Sequence, residues 1–420
     1  MKFLLVPNSR GNSEIANLFL LKNGLVRLGH EVDVCPQPLI PHRLFPEYGT
    51  SYSQIKKISE KKIYQGLNYD VVFETNRARP ISLKKGIVHV NWVQDFWPDE
   101  FESITQDFPK SLLYLYGSPK IFGFSRIVGV KVKTLLSGYQ SQATNGDGNK
   151  RYDLNLLGYI PDYSEIFDES PGASKKYLLS GKCDKLFMVI LREVFRKPGL
   201  ILQFFNRRSK IYLKPFFFTK EFKNLVGIIE SRYMPLSGFL DYNMKPDCLS
   251  IIEKKIWQKI FSELPRYLDR ICLFREFQKL PSSIIRIIAG PNWKAMFPDV
   301  DFVTVPQNEV EIFSTSKLTV HNSTHGLGLH PRVFGCIACG SFPLMHKTPF
   351  QNETGSLETV LEPGRHFGIY TKQSFQDVAQ KWCKDVRQRQ KGVQEAQKIM
   401  EEHHSWDQRA RQILVDVQNI

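Results

Sequence analysis

His325, His330 and Arg332, set among Gly326 and Gly328 in HNSTHGLGLHPRVFGCIACGSFPLMH (His321 to His346), are the side chains best suited to hold a phosphate-like anion. The stretch reads as a strand end, a polar glycine-rich loop, a helix and a second strand. A helix amino terminus offers unpaired N–H groups and the positive end of a dipole, and glycine lets an anion approach the backbone closely. Arg332 falls in or near the first helical turn, where a guanidinium can grip phosphate with two parallel bonds. Val333, Phe334, Ile337 and Ala338 supply the helix's apolar face, Cys339-Gly340 ends it, and Ser341 to Met345 reads as the next strand. A generic glycine joint of an α/β protein has the same local look, so the surrounding elements decide the reading.

Those elements alternate. Lys2 to Pro7 reads as a short apolar strand, Asn8 to Ser13 as a polar turn, Glu14 to Leu28 as an amphipathic helix ending at Gly29, and Glu31 to Cys35 as the next strand. This βαβ opening implies a parallel sheet. Further strands are predicted at Val71 to Phe73, Ile87 to Trp92, Leu112 to Tyr116 and Ile127 to Val130. The polar, glycine-containing break at Thr144 to Lys150 marks a domain boundary, and Leu154 to Gly158 opens the second half. The stretch from Asp162 to Leu280 reads as mainly helical. The alternation then resumes with strands at Ile284 to Ala289, Phe302 to Val305 and Leu318 to Val320, a Gly290-Pro291-Asn292-Trp293 turn, and a helix at Gln307 to Thr315.

Composition sets the outer limits. With 420 residues, 42% hydrophobic and 12% aromatic, the chain can build two or three packed domains and is not a disordered segment. Its 7 cysteines lack a disulfide framework, and the single CxxC, Cys336 to Cys339, has no second ligand pair, so no metal is expected. They read as reduced, buried thiols of a cytoplasmic protein. MKFLLVPNSRGN reads as a first strand rather than a signal peptide, and no apolar run approaches the roughly 20 residues that span a bilayer.

The net charge is +15, from 57 basic and 42 acidic residues, so an anionic partner surface is expected. Ten of the basic residues lie between Lys185 and Lys223, interleaved with phenylalanines such as Phe204, Phe205, Phe216, Phe217 and Phe218. That mixture suits an element lying on an anionic membrane surface. It also suits base stacking in single-stranded nucleic acid, or a solvated basic face over an aromatic core.

Across residues Ile284 to Leu414 the sequence resembles the glycosyltransferase group 1 superfamily. The pieces that carry the resemblance are IIRIIAGPNW (Ile284 to Trp293), LTVHNS (Leu318 to Ser323), GLHPRVFGCIACGSFPL (Gly328 to Leu344), LEPGRHFGIYTKQSFQDVAQ (Leu361 to Gln380) and HHSWDQRARQIL (His403 to Leu414), in the family's order. YDVVFETN (Tyr69 to Asn76) and VHVNWVQD (Val88 to Asp95) are similar to the strand pair that faces the interdomain cleft in that branch. The resemblance implies an α/β GT-B fold, two Rossmann-like domains facing a cleft. Residues 1–148 would form the acceptor half. Residues 149–400 would form the donor-nucleotide half, with a basic-aromatic helical insertion at 163–280, and residues 401–420 a helix packing back across the domains.

It further implies a sugar transferase that takes a nucleotide-sugar donor and a glycan or lipid-linked glycan acceptor, in surface polysaccharide synthesis. No cofactor, no metal and no nucleic-acid partner are implied. The protein would be cytoplasmic, with peripheral attachment to the inner membrane face. Donor contacts are expected from Gly290, Asn292, Trp293, Pro306, Asn322, Ser323, His325, Gly326, Leu327, Gly328, His330 and Arg332, and acceptor contacts from Asn8 and Arg10. Trp293 suits a core position equally well. Asp95 and Glu74, at strand ends, are candidates for a general base, although a strand-end carboxylate also serves as a loop acceptor. His89 and His321 lie in apolar strands and read as core histidines. One departure is Gly335, where relatives carry a glutamate that contacts the donor. Another is His330-Pro331, reminiscent of enzymes using CMP-activated sugars. The alternatives are a nucleic-acid-binding protein using 185–223, or a catalytically inactive GT-B scaffold.

Overall fold

A computed structural model describes residues 1–7, 12–35, 68–75, 86–94, 111–117, 131–142, 150–161, 266–323 and 329–420. The basic-aromatic segment 185–223 and the predicted strand Ile127 to Val130 lie outside these residues, as do Asn8, Arg10, Asp95, His325, Gly326, Leu327 and Gly328.

Two six-stranded parallel sheets form the two halves. The first contains β1 (Lys2–Val6), β2 (Glu31–Val34), β3 (Val71–Thr75), β4 (Val88–Val93), β5 (Ser111–Leu115) and β6 (Lys131–Thr134), in the spatial order β2-β1-β3-β4-β5-β6. The second contains β7 (Tyr152–Leu157), β8 (Arg286–Ala289), β9 (Val303–Thr304), β10 (Ser316–His321), β11 (Phe342–His346) and β12 (Gly368–Tyr370), in the order β12-β11-β10-β7-β8-β9. The central strands β3 and β5 are buried throughout, as expected of parallel strands covered on both faces. β6, KVKT, is an edge strand with alternate residues exposed, which explains why it gives no apolar signal in the sequence.

Among the described helices, α1 (Asn12–Arg27) follows β1, and α2 (266–279) precedes β8. They are joined by α3 (Trp293–Met296), α4 (Glu309–Thr315), α5 (Pro331–Ala338), α6 (Phe375–Lys384), α7 (Val386–His404) and α8 (Trp406–Gln418). One face of the second sheet packs on Ile271, Phe274 and Phe277 of α2 and Phe375 and Trp382 of α6. The other core is continuous between the halves, taking Val333, Phe334 and Ile337 of α5 together with Trp92, Tyr114 and Trp406.

α8 belongs by contact to the first half. Asp407 forms a two-pronged ion pair with Arg27 of α1, and Tyr114 Oη of β5 donates to Asp416 at 2.7 Å. Arg409 Nε donates to the Ser137 carbonyl at 3.1 Å, and the Trp406 ring lies where a Cβ on Gly138 would stand. The chain breaks from α7 to α8 at Ser405, which stands at the N-cap position with extended dihedrals but makes no side-chain cap bond.

Candidate anion-binding site

In the second sheet, the strand order reverses between the parallel neighbours β7 and β10, and the carboxyl ends of that pair are where open α/β sheets hold ligands. The register Val320 with Leu156 brings the residues that follow β7 and β10 to one level. Gly158 follows β7 at φ +144°, and Gly290 follows β8 at φ +142°. Both conformations favour glycine. A Cβ on Gly290 would lie 2.3 Å from the Gly158 carbonyl oxygen, so the two strand ends cross as bare backbone.

The Gly290-Pro291-Asn292-Trp293 turn braces this crossing. Trp293 Nε1 donates to Gly158 O at 2.6 Å, Asn292 Nδ2 donates to Ile160 O at 3.0 Å, and the Ile160 amide donates to Pro291 O at 3.2 Å. This corrects the expected pocket-lining role of Trp293. It is fully buried, stacked near Phe274, because its indole N–H finds its partner beneath the strand end. Pro306, by contrast, is exposed in the loop after β9.

Above Gly158 the arginines meet. A Cβ there would lie 2.8 Å from Arg270 Nη2 and 3.2 Å from Arg332 Nη1. Arg332 is the second residue of α5, whose start follows from local chemistry: Pro331 occupies the first turn and His330 Nδ1 accepts the Arg332 amide at 3.2 Å. That bond places the neutral imidazole's proton on Nε2. Burial, then Arg332 and Arg270, push His330 down to about 3. Arg270 comes from α2 and is 4% exposed, and its Nε and Nη1 have no hydrogen-bond partner among the described residues. Burial, then Arg332 and Arg266, push its guanidinium down to about 10, so it stays charged at neutral pH. Arg266, one turn earlier, lies over the Tyr159 ring at 4.9 Å and bonds its hydroxyl.

The floor of the site is polar and buried. Asn322, after β10, donates Nδ2 to Asp269 Oδ2 at 2.7 Å, which leaves its Oδ1 without a partner among the described residues. Tyr370 Oη of β12 donates to the His321 carbonyl at 3.0 Å. Burial, then His330, hold His321 well below its ordinary value. Its Nε2 lacks a partner among the described residues, so it is not the satisfied core histidine expected. Ser323 is half-buried beside it. A largely buried cluster of cations with orphan donors, lined by neutral imidazoles, has electrostatics that suit an anion.

Gly335 has a packing explanation. A Cβ at this position would stand 3.2 Å from the Phe313 ring of α4, so residue 335 faces the α4–α5 contact. In the first half, Glu74 is also corrected. It is fully buried, with Oε2 2.7 Å from His89 Nε2, and thus sits inside the sheet's packing rather than at an open strand end.

A family profile described as glycosyl transferase-like matches residues 273–415, which contain most of this site. In overall shape the chain is similar to HepE of Anabaena, solved with UDP-glucose, at a TM-score of 0.51 and 12% identity over 100% of both chains. It is also similar to sucrose-phosphate synthase of Thermosynechococcus elongatus, at 0.50 and 8% over 100% of this chain and 99% of that one. No curated protein matches the sequence. The chain has the GT-B fold. Its resemblance to group 1 glycosyltransferases is borne out, since the profile falls on the elements that carry it and the two parallel sheets match the GT-B neighbours.

Within this GT-B framework the structure unites Gly290, Asn292, Asn322, His330 and Arg332 around one strand crossing. Sequence reasoning missed Arg266 and Arg270. Their only signal is the i, i+4 spacing of two arginines bordering the apolar stripe of α2, within a segment read as an insertion.

Proposed function

We propose that this protein is a glycosyltransferase that moves a sugar from a nucleoside diphosphate donor to a glycan or lipid-linked glycan acceptor. The observation that carries the reading is the buried guanidinium of Arg270, whose Nε and Nη1 have no hydrogen-bond partner among the described residues, beside Arg332 over Gly158. Burying a guanidinium whose donors are unmet is unfavourable, and a ligand with two phosphate groups supplies acceptors and negative charge for it. The UDP-glucose held by HepE is a donor of this kind.

In the reaction an acceptor hydroxyl attacks the anomeric carbon as the bond from that carbon to the phosphate oxygen breaks. The departing diphosphate gains negative charge, and fixed cations stabilise it most where water is excluded. Arg270 and Arg332 are placed for that work, and His330, with its proton on Nε2, is a neutral donor at the same helix start. Three arginines supply the positive charge a divalent metal would otherwise bring, so transfer is proposed to be metal-independent. His330-Pro331 has a helix-capping role of its own, which removes the reason to favour a CMP-sugar.

The acceptor is proposed to bind the first half at Asn8 and Arg10, with Asp95 as the general base that takes the attacking hydroxyl's proton, for a role in surface polysaccharide synthesis. Among the described residues no helix is long and apolar enough to cross a membrane. Attachment to an anionic inner membrane surface through 185–223 is part of the same proposal. The test is a thermal-shift panel of UDP, GDP, ADP, CDP and CMP, followed by transfer assays with and without EDTA. A nucleoside diphosphate that raises the melting temperature in wild type but not in Arg332→Ala supports the reading. No stabilisation by any of them refutes it.

A further inference from the structure

Arg332 carries a second contact that the donor site does not itself require. Its Nε donates to Glu309 Oε1 at 3.1 Å, and Glu309 is the first residue of α4, just beyond the Asn308 N-cap. The side chains are 30% and 53% exposed, so the pair lies at the rim of the site rather than in the core. A guanidinium has two usable edges. Here one edge is occupied from outside while Nη1 reaches inward over Gly158 towards Arg270. Without a counter-charge, repulsion from Arg270 and Arg266 would drive a long, rotamer-rich side chain out towards water.

We propose that Glu309 is a positioning residue, which holds the Nε edge of Arg332 so that its remaining N–H groups are aimed at a diphosphate above Gly158. The proposal rests on the donor-site reading above. It also gives α4 a role in the site through the Glu309–Arg332 contact. Two effects of opposite sign compete at this position. A carboxylate near an anion site repels the ligand, whereas a carboxylate that preorganises an arginine strengthens binding.

The experiment measures affinity for inorganic pyrophosphate and for the nucleoside diphosphates UDP and GDP. It uses wild type, Glu309→Ala, Glu309→Gln, Arg332→Ala and the Glu309→Ala/Arg332→Ala double variant. Glu309→Ala is expected to weaken binding about tenfold, a loss typical of a misplaced charged contact. Glu309→Gln, whose amide oxygen still accepts from Nε, is expected to restore most of it. In the Arg332→Ala background, Glu309→Ala should have no further effect. An exposed ion pair adds little stability, so the ligand-free melting temperature should change little. Unchanged or tighter binding in Glu309→Ala overturns the proposal, as does additivity in the double variant. Wild-type binding of pyrophosphate but no nucleotide overturns the donor reading and leaves Glu309 to be judged on pyrophosphate. Binding of neither overturns both.

Discussion

Replacing Arg270 with methionine should make the ligand-free protein more stable and its nucleotide site nearly useless. Methionine keeps an unbranched stem at this buried position and removes the charged head. In the folded state burial pushes that head from 12.5 down to about 10. The shift, set first by burial and then by repulsion from Arg332 and Arg266, corresponds to about 3 kcal/mol against the charged form at 1.36 kcal/mol per unit. The void left by the guanidinium returns about 1 kcal/mol of that gain. A net stabilisation of about 1–2 kcal/mol follows, or a rise of roughly 2–8 °C in melting temperature. Against this, losing one partner of a buried charged contact costs about 2–4 kcal/mol of ligand affinity, some 30- to 1000-fold. Scanning calorimetry of the free protein and titration with UDP or GDP measure the two quantities separately. A less stable Arg270→Met protein would show that the guanidinium is satisfied in the free state. Undiminished nucleotide affinity would remove it from the site altogether.

Other expectations follow from the same geometry. Gly290→Ala puts a Cβ 2.3 Å from the Gly158 carbonyl oxygen at φ +142°, so it should destabilise the second half by more than about 2 kcal/mol, read as a lower urea midpoint. Asp416→Ala strips the acceptor from the buried Tyr114 hydroxyl and the counter-ion from Lys133, and should cost about 2 kcal/mol. If the urea midpoint does not move, α8 is not anchored through Asp416. Burial pushes His346 down to about 4 in the folded protein, while the unfolded chain protonates it near 6.5. A lowered folded value favours the neutral form, so this stability is complete above pH 6.5 and is lost as pH falls towards 4. The contribution of His346 is about 2 kcal/mol lost by pH 5 and about 3 by pH 4. His404, also pushed down to about 4 by burial, titrates over the same window. Equal urea midpoints at pH 7 and pH 5 would count against both.

Local signals were legible wherever a few neighbouring residues determine the outcome. The βαβ opening, the second run of strands and the start of α5 all follow from apolar spacing and from His330-Pro331. The end of that helix at Cys339-Gly340 follows likewise, with Gly340 at φ 75°. β6 was missed because a solvated edge strand carries no apolar run. The single turn Trp293–Met296 read as loop because four residues are too few to show a helical period. Glu74 looked available in sequence because a strand end is normally open, yet His89 on the neighbouring strand closes over it.

The sequence by itself therefore determined two parallel α/β halves and a phosphate-suited helix start at Arg332, since these depend on propensities and periodicities within about one element. The tertiary structure decided which groups meet. Arg270 reaches Arg332 only because β7 lies between β10 and β8, and Glu309 reaches it only because α4 packs beside α5. It likewise turned Trp293 into a brace and carried α8 back to Tyr114, across 302 residues of chain. Strand order and helix packing set these distances, and neither is written in the spacing of residues along the chain.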